Sequence, residues 1–106
     1  MVMDELRQFD MVLLSDGRAG TITDLLPPDG LLVDVGYSPL SWDNITCRVD
    51  DVVKVLSKKE SKQIEKKVYD EHPEELESYL ELFDESKRKK IKKEIMQRLA
   101  DVTLER

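Results

Sequence analysis

Few residues of this chain could carry covalent or acid–base chemistry. One cysteine, Cys47, and one histidine, His72, are present among 106 residues, and such a pair cannot supply the nucleophile, base and orienting group that covalent catalysis needs. Cys47 lies between Thr46 and Arg48 in a strand-like run, where a small half-buried side chain is the default. His72 stands directly before Pro73, a context that predicts a helix cap and not a catalyst. Metal-ligand spacing is missing as well: there is no C-x-x-C, no H-E-x-x-H, and no second histidine to join a carboxylate. Asp50-Asp51 could hold a cation weakly, yet a turn before a final strand accounts for both. "DGRAG" at 16–20 has the composition of a phosphate-binding loop, but it leads into a strand, so no helix N-terminus would face a phosphate. No enzyme activity, cofactor or metal is expected.

Two other stretches suit binding. "GYSPLSWDN", residues 36–44, puts Tyr37, Pro39, Leu40 and the only tryptophan, Trp42, where a turn of small polar residues would be expected. Two readings are open: the loop folds back as a lid on a core, or Tyr37, Leu40 and Trp42 form an exposed contact of the residue types enriched at interface hot spots. "KRKKIKK", residues 87–93, gathers Lys87, Arg88, Lys89, Lys90, Lys92 and Lys93. On a helix these bases spread over the face opposite Ile91 and Ile95, as a solvated face or one matched to acids within the chain would. The acids are at hand: residues 70–85 carry eight of them and no Lys or Arg. In a helical hairpin Glu77 and Glu81 are expected to approach Lys87 and Arg88. A surface for an acidic protein or for nucleic acid is the other reading of these bases.

The elements that must position these groups follow two different periods. From Phe9 to Leu56, "DGRAG", "PPDG" and the loop at 36–44 separate runs of strand length. Asp16-Gly17 favours the positive φ of a tight turn. "LLVDVGY" alternates, with Leu31, Val33 and Val35 on one face and Leu32 and Asp34 on the other. "ITCRV" and "VVKVL" supply the fourth and fifth strands. Short strands in so little chain are expected to curl into a small barrel, which removes exposed edges.

This order, "MVLLSDGRAGTITDLL", "GLLVDVGY", "ITCRVDDVVKV", resembles the SH3-like, KOW-like small β-barrels of uncharacterised bacterial proteins. The shared elements are a D-G-R-x-G-T-I turn, a V-D-V third strand and a closing D-D-V-x-x-V, and the resemblance covers about residues 9–56. It implies a fold, and it admits peptide, nucleic-acid and domain-binding roles. The loop at 36–44 lacks the bases that a nucleic-acid-binding KOW module would carry there.

From Ser57 onward the apolar residues recur at helical spacing. "SKKE" at 57–60 is a capping-box pattern for a helix over about 58–70, whose stripe is only Ile64 and Val68. Pro73 opens a second helix with Leu76, Tyr79, Leu80 and Phe83 on one face. A third starts near Asp84–Ser86 and carries Ile91, Ile95, Leu99 and Val102. The class is therefore α+β: an N-terminal five-stranded SH3-like barrel over residues 1–56 and a helical extension over 57–106, with two or three helices including a helical hairpin.

Charge narrows the partners. The formal net charge is −6, and residues 1–56 carry all of it, with ten acids against four bases, while 57–106 balance. An acidic barrel opposes phosphate binding. No apolar run reaches membrane-span length, the N-terminus lacks a secretory signal pattern, and a single cysteine cannot form an internal disulfide, so a cytoplasmic setting is expected. The expected role is a non-catalytic protein-binding module, an adaptor, regulator or inhibitor of another macromolecule, with self-association through the helices as a further partner mode. Nucleic-acid binding through Lys87–Lys93 is the alternative.

Overall fold

The computed structural model describes residues 2–100. The chain divides into two compact units: Met1–Gly36 with Trp42–Ser57, and Tyr37–Ser41 with the chain from Lys58 onward.

The first unit is an antiparallel sheet of β1 (Met11–Leu14), β2 (Ala19–Leu26), β3 (Gly30–Val35), β4 (Asp43–Arg48) and β5 (Val52–Val55), in the order β4-β3-β2-β1-β5. Asp16-Gly17 makes the first turn: Gly17 has φ +91°, the Leu14 amide donates to the Arg18 carbonyl at 2.8 Å, and Asp16 accepts from the Arg18 amide and Nε at 2.9 and 2.8 Å. That side-chain hydrogen bond from Arg18 holds the exposed Asp16 carboxyl below its usual pKa. The alternation of the third strand holds: Leu31, Val33 and Val35 are buried, Asp34 is exposed. They join Leu6, Val12, Leu14, Ile22, Val49 and Val52 in one core. Gly20 is required where β2 crosses β3, because a Cβ there would lie 2.5 Å from the Asp34 carbonyl oxygen and 2.6 Å from Val33 Cγ1.

The expected barrel does not close. β4 and β5 stand at opposite ends of the order and each pairs on one side only. Closure needs tilt and stagger shared by all strands. Here β1 and β5 have four residues each, and their register shifts at Leu13/Leu14, which leaves little ladder to carry the stagger round. Asp50 and Asp51 belong to a 3-10 turn, Val49–Asp51, between the last two strands.

The second unit holds three helices, α1 (Lys58–Glu71), α2 (Pro73–Leu80) and α3 (Glu85–Ala100). Tyr69, Leu76, Leu80, Ile95 and Leu99 form its buried cluster, with Tyr37, Val68, Tyr79 and Ile91 packed against it. Val68 of the expected α1 stripe packs against this cluster, and Tyr69, which that stripe left out, is the buried residue of the helix. Pro73 takes the first helical position as expected, but the His72 side chain makes no cap. Its carbonyl accepts from the Glu75 amide at 2.9 Å, and its ring turns to Glu74, with Nδ1 3.3 Å from Oε1. Phe83 lies beyond the end of α2 and meets Tyr79 edge-on, with centroids 5.4 Å apart. Val102 lies outside the described residues.

Candidate surface site

The loop at 36–44 splits between the two units, and its residues take different fates. Tyr37 packs into the helical unit, edge-on to Tyr69 with centroids 6.1 Å apart and planes at 73°. Burial, with Glu65 nearby, pushes its hydroxyl up to about 12, and the same two causes push Tyr69 to about 12. Ser38 is fully buried. Its hydroxyl donates to Glu75 Oε2, the same oxygen accepts from Ser41 Oγ at 2.9 Å, and Ser41 Oγ accepts from the Tyr37 amide at 3.0 Å. One carboxylate in the first turn of α2 therefore ties down the segment Tyr37–Ser41. Leu40, in that segment, is 64% exposed.

Trp42 belongs to the sheet unit and is 52% exposed. β4 starts at Asp43, two residues before the expected "ITCRV" run, so Trp42 stands at the head of a strand and not in mid-loop. The register builds what surrounds it. Thr21 pairs with Asp34, Asp34 with Asn44, and Val35 with Asp43, so Thr21, Asp34 and Asn44 form one row across β2, β3 and β4. Asn44 Nδ2 donates to Asp34 Oδ1 at 2.5 Å. Gly36, at φ +99°, ends β3. These residues, with Val35, Asp43 and Trp42, line a cleft of about 530 Å³. It is acidic and aromatic: two carboxylates, an amide, a hydroxyl and an indole face, with no Lys or Arg in its lining. Such a surface attracts cationic and polar groups and repels phosphate. Asp34 was legible as an outward residue of an alternating strand. Its partner row was not, because register is a property of the fold.

The basic run lies on α3. Lys87, Lys89, Lys90, Lys92 and Lys93 are exposed. The anticipated pairing of Glu77 and Glu81 with Lys87 and Arg88 is replaced by another. Lys92 Nζ meets Glu77 Oε1 at 3.2 Å, and Arg88, half-buried, donates from Nε to the Phe83 carbonyl at 3.0 Å. The reason is helical phase, which carries Lys92 and not Lys87 to the level of Glu77. Cys47 is half-buried, and burial, helped by Asp51 and Asp16, raises its thiol pKa, so it is a poor nucleophile. Among the described residues no group of acids, Cys and His could hold a metal ion, and no helix is long and apolar enough to cross a membrane.

In class the chain is α+β, an open five-stranded antiparallel sheet followed by three helices. Comparison with protein families, with curated proteins and with solved structures finds no match.

Proposed function

We propose that this chain is a non-catalytic protein-binding module whose contact surface is centred on Trp42. The observation that carries the reading is an indole held 52% exposed at the head of β4 in an acidic cleft of about 530 Å³. Leaving a large apolar side chain in water forgoes up to about 2 kcal/mol of burial in a chain with little core to spare. A partner that covers it recovers that energy, and tryptophan is the residue type most enriched at the centres of protein interfaces. An SH3-like ancestry for the sheet belongs to this proposal: a meander whose fifth strand returns beside the first is the open counterpart of the small barrel that the sequence resembles. Tyr37 acts within the fold in this reading, as an anchor on the helical cluster.

The test is capture from a nuclease-treated extract of the source cell by the immobilised protein and by Trp42→Ala. A partner retained by the first and lost by the second, with circular dichroism unchanged, is expected. Equal retention would count against the reading. Retention of nucleic acid before nuclease treatment, weakened by salt and by Lys→Gln changes over Lys87–Lys93, would favour the alternative.

A further inference from the structure

β4 ends the strand order and pairs with a strand on one side only. In an antiparallel ladder alternate residues turn both backbone groups toward the neighbouring strand. The phase is set by the Val49 amide, which donates to the Asp29 carbonyl at 2.9 Å. With the pairs Leu31–Cys47, Val33–Ile45 and Val35–Asp43, this assigns the backbones of Asp43, Ile45 and Cys47 to β3. The amides and carbonyls of Asn44, Thr46 and Arg48 then point away from β3, on the side where the sheet order ends. The Arg48 amide is taken internally by Asp51 Oδ2 at 2.9 Å. Asn44 and Thr46, both exposed, are left as a docking ladder two residues long, and Asn44 also lines the Trp42 cleft. No proline or lysine guards β4, as guarded edges usually have.

Resting on the reading of the Trp42 cleft given above, we infer that the partner docks as an extended, basic peptide that adds a sixth strand along β4, pairing with Asn44 and Thr46. Strand addition supplies main-chain affinity, and side-chain pockets supply selectivity. The selectivity here follows from charge: Asp34 and Asp43 flank the start of the edge, and the Trp42 ring offers a face on which a Lys or Arg head can sit. An acidic peptide would meet both carboxylates, and a helical one could not use the ladder.

The experiment titrates the whole protein with a capped hexapeptide, Thr-Lys-Val-Arg-Thr-Lys, following Trp42 emission. Two control peptides are run beside it: one N-methylated at its two central amides, which blocks both of its edges, and one with Glu in place of each base. Saturable binding is expected, weakened about tenfold or more by N-methylation and abolished by Glu. Thr46→Pro, which removes an outward amide and no bond to β3, is expected to weaken binding of the unmodified peptide to the same degree. Should that variant fail to fold, the N-methylated peptide still decides. Equal binding of the N-methylated peptide would overturn strand addition while leaving the Trp42 contact standing. No response to the unmodified peptide, or equal response to the Glu peptide, would overturn the inference, and the capture comparison with Trp42→Ala would judge the broader reading separately.

Discussion

Glu75 has a larger structural role than its place on a charged helix suggests. Its Oε2 takes both the buried Ser38 hydroxyl and the Ser41 hydroxyl, so removing it leaves Ser38 buried and short of a partner. Glu75→Ala is therefore expected to destabilise the helical unit by about 1–3 kcal/mol in urea unfolding, with Glu75→Gln losing less. Tyr37 behaves oppositely. Its hydroxyl is buried with no hydrogen-bond partner among the described residues, so Tyr37→Phe should be neutral or stabilising. Both Tyr37 and Tyr69 are raised from 10 to about 12 in the folded state. A raised pKa means that folding favours the protonated, neutral form. Folding stability is therefore unaffected by these groups' titration below pH 10 and falls as pH rises from 10 to 12. Helical circular dichroism across that range should fall, and Tyr37→Phe should shrink the fall. A loss confined to neutral or acidic pH would contradict this assignment.

At the scale of elements, β2 and β3 are held by close approach at Gly20, where a methyl group would meet the Asp34 carbonyl oxygen and two valines. Gly20→Ala should cost about 1–3 kcal/mol of thermal or urea stability, and no loss would mean that the strands separate easily there. Much of this layer was legible in the sequence. The alternation in "LLVDVGY", the Asp16-Gly17 turn and Pro73 at the head of α2 are local signals, and they describe strands and helices that form. What stayed hidden depended on partners far along the chain. Tyr69 joins Val68 because the helical cluster, with Tyr37 against it, selects the face of α1, and a stripe of two residues cannot show how wide that face is. Barrel closure failed as an expectation because composition announces strands but not whether four-residue strands can carry a stagger.

For the molecule as a whole, function was legible only as a question about one loop. The sequence shows that the stretch from Gly36 to Asn44 is too apolar for a turn; it does not show that Tyr37 and Ser38 go to the helical unit while Trp42 stays exposed on the sheet. The candidate cleft escaped notice because Thr21, Asp34 and Asn44 come together through register across three strands. The basic run, conspicuous in the sequence, is in part matched within the chain by Glu77 and by the Phe83 carbonyl. Trp42 is about half buried, so Trp42→Ala should cost folding stability only about 1 kcal/mol, while removing partner capture. The central claim is that the indole is held in water, ready to be covered. Its most direct measurement is the emission of Trp42, the only tryptophan, with iodide quenching of the folded protein. A red-shifted emission that iodide quenches readily is expected; a blue-shifted emission protected from iodide would place the ring in a core and contradict an exposed indole.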